Sequence, residues 1–443
     1  LPAARGASVL SLVIALPNEL FVCPHFNKIN LFKKAIWNQF ILSCGLYKSI
    51  YLLCYPRLNR GFYADFLIFT FYNNKKDTDL FERDYDIKRI ISALEMLHHI
   101  KIQASNTLII FDEIQEAPKV LESLKYFCEE AREYAIVAAG SLLGVSIHEG
   151  LSFPVGKVNE LRLYPMTFSE FLLALGEENL AKLIEEKNPE NPLISDLRET
   201  YIPFLRDYYF TGGMPEAVLT FVETRDYDKV RSVQNDIISQ YEGDFGKHVD
   251  SKELPRIRMV WNSLPMQLAK ENKKFFFGQI KSGARMKEFE IAIQWLCDAG
   301  LIYKVQKVSK PAMPLKAYSV FSDFKVYLND IGLLGALSEL NKDSIISGND
   351  VFIEFKGALT EQYVFQELKA MTSYTPYYYS GEKSTYEMDF LIQKGKLIVP
   401  LEVKAEENVK AKSLRFFVDK FNSEYAVRTS MSNYRKEEWL TNI

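Results

Sequence analysis

Residues 108–115 read LIIFDEIQ: four apolar positions, then two acids, then a polar exit. An apolar run of this length, opened by Asn106–Thr107, is the pattern of a buried β-strand. Its carboxylates fall where the chain leaves the sheet. Working outward, Pro118 opens a helix that runs to about Arg132. Ala135–Ala139 is a second short apolar strand, closing at Gly140–Ser141. Upstream, Asp84–His98 places Ile87, Ile90, Ile91, Leu94 and Leu97 on one helical face. Strand, helix and strand with acids or small polar residues at the strand ends describe an α/β nucleotide-binding core. In such a core Asp112 would hold Mg²⁺ through its water shell, Glu113 would orient the attacking water, and Ser141 would sense the γ-phosphate of ATP. Buried strands also end in acids for structural reasons alone, so the octapeptide has both readings.

Composition sets the frame. The 443 residues are 48% hydrophobic and 25% charged, enough for two or three globular domains. The net charge of −3 does not mark a nucleic-acid binder, so any such contact has to be local. The balance is uneven: residues 1–70 hold seven Lys/Arg against two Asp/Glu. That stretch lacks a sustained helix or strand period and holds Cys23, Cys44 and Cys54. It reads either as a displaced reading frame or mis-assigned upstream region, or as a divergent subdomain of its own. The five cysteines form no CxxC and no Cys/His cluster, which fits a reducing cytoplasm. Cys128 and Cys297 lie in helical patterns and are expected in the core. The apolar runs Ser8–Leu16 and Phe40–Leu53 are too short or too interrupted to span a bilayer, and no export signal is read.

Five stretches carry a resemblance: TLIIFDEIQEAP (107–118), YAIVAAGSLLGV (134–145), FPVGKV (153–158), LYPMTFSEFLLALGEE (163–178) and TGGMPEAV (211–218). In this order and spacing they resemble bacterial AAA-type P-loop ATPases with a C-terminal domain of long-unassigned function, over residues 71–430. The resemblance implies an ATPase core using ATP and Mg²⁺, with Asp112 and Glu113 as its Walker B pair and Ser141 near the sensor position. It also suggests Lys157 as a basic residue facing nucleotide. The sequence departs from the family at the phosphate-cradling loop, GxxxxGK[ST], which should precede residue 108. No GKT or GKS occurs; the Gly–Lys pairs are Gly156–Lys157, Gly246–Lys247 and Gly395–Lys396. Arg5–Gly6–Ala7 resembles the lead-in to that loop, after which the match stops. Backbone amides and the loop lysine supply most of the phosphate affinity, so nucleotide binding is expected to be weak or absent.

The middle of the chain is helical to about residue 249, broken by Thr211–Gly212–Gly213–Met214–Pro215. Helices near 255–270, 277–281 and 285–298, then a hairpin of 301–308 with 317–328, give a winged-helix layout. Glu288, Glu290 and Asp298 on the third helix repel phosphate, which favours a protein partner or a structural role there. The histidines make no triad spacing; His98 and His99 read as a helix C-terminal turn.

At the C-terminus Gly357–Ala370 is a helix bearing Glu361. A strand follows from Glu387 through Asp389 to Ile392, and a second, Leu397–Lys404, ends in LEVK. Period two puts Glu402 and Lys404 on one face, and a hairpin brings Asp389 beside them. The set resembles the D…(E)xK pattern of the restriction-endonuclease-like fold. There Asp389 and Glu402 would bind Mg²⁺, Lys404 would position the attacking water, and Glu361 would approach from the helix, with DNA as substrate. An inherited, inactive site in the same fold is the alternative. The Tyr377–Tyr378–Tyr379 run reads as a packed strand in preference to a base-stacking surface. The expected plan is therefore α/β throughout. An anomalous region (1–70) precedes a P-loop NTPase-like parallel-sheet core with helical extension (71–250). A winged-helix domain (251–340) and an α/β restriction-endonuclease-like domain (341–443) follow. No membrane contact is expected, and the oligomeric state stays open.

Overall fold

In the computed structural model, the residues described are 10–15, 65–141, 156–188, 190–269, 274–346, 353–381, 386–405 and 412–433. The chain divides into two compact units, residues 1–164 with 298–300, and residues 165–297 with 301–443.

The first unit is a five-stranded sheet with helices. Strands β1 (Leu10–Ala15), β2 (Asp65–Thr70), β3 (Thr107–Asp112), β4 (Ala135–Ser141) and β5 (Asn159–Leu163) lie in the order β2-β3-β4-β1-β5. Helices α1 (Lys75–Glu82) and α2 (Ile87–His98) connect β2 to β3, and α3 (Pro118–Glu130) connects β3 to β4. β2, β3 and β4 are mutually parallel, as βαβ crossovers require. Every residue of β3 is buried, which explains its unbroken apolar run. The faces expected for α2 and α3 are the ones that pack: Ile87, Ile90, Ile91 and Leu94 meet Val120, Leu121, Leu124 and Phe127 in one core. Asp86 caps α2 through the Arg89 amide, and His99 closes it in a left-handed turn. His98, in the last helical turn, also reaches the buried Asp77, Nε2 to Oδ1 at 2.8 Å. Of the 1–70 region, only β1 and the β2 segment fall within the described residues.

The second unit begins with α4 (Phe168–Ala174), α5 (Glu178–Glu186), α6 (Ser195–Thr211), α7 (Pro215–Thr224), α8 (Tyr227–His248) and α9 (Leu254–Leu268). Thr167 caps α4 in a capping box with Glu170. A short 3₁₀ turn (Phe277–Gln279) and α10 (Met286–Asp298) precede β6 (Ile302–Val308) and β7 (Ser319–Leu328). Then come α11 (Ile331–Leu337), α12 (Lys342–Ile346), α13 (Ile353–Met371), β8 (Tyr377–Ser380), β9 (Glu387–Lys394), β10 (Leu397–Val403), α14 (Lys412–Phe421) and β11 (Val427–Thr429).

Two expectations need correcting here. The helices after residue 164 belong to the second unit and do not extend the first. The β6–β7 hairpin forms as expected, but it is not the wing of a separate module. Six strands make one sheet in the order β11-β10-β9-β8-β6-β7, and β6 joins β8 in parallel at Lys307↔Tyr378. A boundary at 340/341 therefore cuts through a continuous sheet. The tyrosine run is β8, buried against Met388, Leu391, Leu414 and Phe417. Cys128 and Cys297 are half-buried free thiols, not core residues. Among the described residues no helix is long and apolar enough to cross a membrane.

Candidate functional site

In the first unit, β3 delivers Asp112 to the C-terminal edge of the parallel strands, 6% exposed. Thr70 Oγ1, at the end of β2, donates to Asp112 Oδ2 at 3.4 Å, and the Glu113 amide donates to Oδ1 at 3.0 Å. Burial, reinforced by the neighbouring Glu113 carboxylate, pushes the Asp112 carboxyl up to about 7. Glu113 itself lies at φ 53°, a left-handed conformation unusual for a residue with a side chain. That turn bends the chain out of β3 into the Ile114–Glu116 3₁₀ turn, while Gln115 Nε2 donates to Glu113 Oε2 at 2.6 Å. A polar chain that sequence reasoning missed runs on from the same edge. Asn74 Nδ2 donates to the Thr70 carbonyl at 3.0 Å and to Asp77 Oδ2 at 2.7 Å.

Ser141 ends β4 at this same edge, because β4 is parallel to β3. Lys157 does not come to it. Its ammonium pairs with Glu129 at 2.8 Å, in the last turn of α3. Since α3 starts at the Asp112 edge and returns the chain to the beginning of β4, that turn lies at the opposite edge. Strand β1 occupies the slot between β4 and β5, but it is antiparallel to both: Leu10 pairs with Ser141, and Ala15 with Ile136. The strand thus enters the sheet at the Asp112 edge and leaves at the other. A phosphate loop follows the C-terminal end of a strand parallel to β3. β1 in this direction cannot feed one to Asp112.

In the second unit, the four C-terminal residues meet in two linked groups. Asp389 Oδ2 accepts the Val403 amide at 2.8 Å, which ties β9 to β10 beside Glu402. Glu402 is 3% exposed; its Oε1 pairs with Lys404 Nζ at 2.8 Å, and its Oε2 is buried without a hydrogen-bond partner. Glu361 does not join Glu402. It accepts from Tyr327 and from Lys325, whose Nζ lies 3.1 Å from Glu361 Oε1, 2.6 Å from Glu387 Oε1 and 3.9 Å from Asp389 Oδ1. Burial alone would lower the Lys325 ammonium, but Glu361, Glu387 and Asp389 outweigh it and hold its pKa above the usual lysine range. Tyr327 is held protonated by its burial and by Glu361. Lys325, Tyr327 and Glu387 escaped sequence reasoning. The available signal was the two-residue spacing of Lys325 with Tyr327 and of Glu387 with Asp389.

Comparison with known proteins bears on the first of these sites. Residues 58–172 match the AAA domain family. Two further segments match families described only as domains of unknown function, DUF8612 over residues 202–344 and DUF4143 over residues 356–443. Among curated proteins none matches the chain. Among solved structures it is similar to a Walker-type ATPase of Pyrococcus abyssi, at 11% identity and a TM-score of 0.36, over 68% of this chain and 88% of that one. The AAA match spans both β3 and β4. Asp112, Glu113 and the end of β4 are therefore the acidic edge of an AAA-type, ATPase-like unit.

The chemistry of the second unit's donors fits one divalent ion better than two. Asp389 and Glu402 offer hard oxygen atoms at the end of one hairpin, and the orphaned Oε2 of Glu402 lacks the partner that a buried anionic oxygen requires. Among the described residues no group of three or more His, Cys, Asp or Glu side chains is arranged to hold a metal.

Proposed function

We propose that the chain is an AAA-type ATPase relative joined to a nuclease-like C-terminal domain that acts on DNA inside the cell. The observation that carries the reading is the buried Asp112 at the end of β3, with Glu113 beside it, inside the segment that matches the AAA family. Asp112 would hold Mg²⁺ of a nucleotide and Glu113 would orient the water. In the second unit Asp389 and Glu402 would take one Mg²⁺. The metal would polarise the phosphodiester and acidify its water, and Lys404 would position that water. Glu361 serves on this reading as a partner of Lys325 and Tyr327, not as a metal ligand.

A second reading has support of its own: a DNA- or protein-binding regulatory module in which neither site turns over. The direction of β1 and the ammonium of Lys325 among the carboxylates both favour it. Calorimetry of Mg·ATP with the whole chain separates the two at the first site, with Asp112→Ala as control. Binding that the control abolishes supports the ATPase reading, and no binding supports the regulatory one. At the second site, Mg²⁺-dependent DNA cleavage should be lost in Asp389→Ala and Glu402→Ala. Cleavage unchanged by both would reject the nuclease assignment.

A further inference from the structure

The buried lysine has more negative partners than it needs. Lys325 is fully buried on β7, and its ammonium faces Glu387 at 2.6 Å, Glu361 at 3.1 Å and Asp389 at 3.9 Å, with the Tyr378 ring at 5.1 Å. One carboxylate would satisfy a structural ion pair. Three carboxylates around one ammonium leave negative charge in excess within a low-dielectric interior, which is unfavourable unless a further cation shares it. One of the three, Asp389, is also bound to the Val403 amide, next to the unpartnered Oε2 of Glu402. The cluster therefore has two sides. On one, Lys325 gathers Glu361, Glu387 and Asp389. On the other, Glu402 and Asp389 present oxygen atoms that no protein cation neutralises beyond the single contact of Lys404 with Glu402 Oε1.

We propose that Lys325 is a built-in cation of the C-terminal site: its ammonium stands where a second divalent ion would otherwise bind, and it restricts the site to one metal, held by Asp389 and Glu402. The inference rests on the metal-dependent reading of that site. Lys325 is then a positioning residue. It orients Asp389 from behind and keeps Glu361 and Glu387 from drawing the ion away. Two-metal sites place their ions about 4 Å apart, so that both the attacking and leaving oxygens are stabilised. A site with one ion and one fixed ammonium has a hard Lewis acid on one side only.

The consequence is that removing the ammonium should create a metal site. In Lys325→Met, the oxygens of Glu361, Glu387 and Asp389 converge on the vacated position, and hard carboxylate oxygens are what Mn²⁺ and Mg²⁺ prefer. The test is thermal unfolding of the full chain in chelator and in excess Mn²⁺, with bound Mn²⁺ counted by electron paramagnetic resonance. In chelator the variant should melt about 10 °C below the parent, as expected for a broken buried ion pair. Mn²⁺ should restore at least about half of that loss, and the variant should bind one Mn²⁺ more than the parent. Mn²⁺ stabilising Lys325→Met no more than the parent would overturn the proposal. The parent's own ion is followed separately through Glu402→Gln. If the parent shows no Mn²⁺ sensitive to that change, the metal-dependent reading of the site fails, while the response of Lys325→Met still decides the role of Lys325. Should Lys325→Met not fold in either condition, Lys325→Met/Glu387→Gln removes one negative charge with the positive one. Mn²⁺ should raise its melting temperature by several degrees, and no rise overturns the proposal.

Discussion

Replacing Gly213 by Ala should cost the second unit about 4 kcal/mol, although Gly213 is not in a left-handed conformation. A Cβ at that position would stand 2.1 Å from the Met166 carbonyl oxygen and 2.6 Å from the Met166 nitrogen. Both are backbone atoms, so no side chain can swing aside. The contact is held from two directions. The Met166 amide donates to the Gly213 carbonyl at 2.8 Å, and the Gly213 amide donates to the buried carboxylate of Asp330 at 2.6 Å. Relieving the clash means separating the two backbones. Overpacking of this kind costs about 1–3 kcal/mol, and losing a charge-assisted buried hydrogen bond adds about 1.5–3 kcal/mol. Gly246 in α8 provides the control, since a Cβ there meets nothing within 4 Å. Gly246→Ala should be stabilising by about 0.5–1 kcal/mol, through helix propensity and a less flexible unfolded chain. Urea unfolding followed by tryptophan fluorescence reads both, because Trp261 is fully buried in this unit. Equal effects of the two substitutions, within about 0.5 kcal/mol, would refute the claim that the close approach of Gly213 to Met166 organises this region.

Asp330→Ala should lower the same unit's stability by about 2 kcal/mol or more, since it uncaps the Leu333 amide and orphans the Gly213 amide; urea midpoints measure it. Burial pushes the Glu367 carboxyl up to about 8, so the folded protein keeps a proton that the unfolded chain has already released. Its contribution is fully present below the ordinary glutamate value and is lost as pH rises to about 8. Glu367→Gln should therefore unfold at higher urea than the parent above that pH, by about 1–2 kcal/mol, and show a flatter pH profile.

The parts of the fold that could be read in the sequence are those set by local periodicity. The run 108–111 had to be a buried strand, and its two acids had to lie where it ends. Glu402 and Lys404 share a face because strands alternate, and their 2.8 Å contact follows from that spacing. What could not be read depends on partners distant in the chain. Lys325 sits in the strand segment FKVYL, where a lone lysine reads as one half-exposed position of an alternating strand. Only the arrival of α13 and β9 on that face buries it among acids. Three helices and a hairpin also fit the sequence of 255–328, but whether the hairpin stands free or continues a sheet turns on the Lys307↔Tyr378 contact. Lys157 looked like a nucleotide ligand because of the segment it follows, yet the chain places it beside Glu129.

The reversal of β1 separates two properties that a P-loop sheet normally combines. Without a strand in that slot, the apolar backbone of β4 would present an open edge, which favours mispairing and aggregation. Filling the slot requires only an extended apolar segment. An antiparallel ladder is at least as stable as a parallel one, so the LSLVIA of residues 10–15 can close the sheet in either direction. Phosphate binding has a stricter requirement. The strand must arrive at the Asp112 edge by its C-terminal end, so that the following turn and helix N-terminus bring their amides there. The sheet can keep its order, its core and its acidic edge while losing the direction that served nucleotide. Binding of Mg·ATP that depends on Asp112 would then require phosphate donors from outside the described residues. Absence of binding would mean that the AAA-type unit of this chain is kept for its shape, with any catalysis resting on Asp389, Glu402 and Lys404.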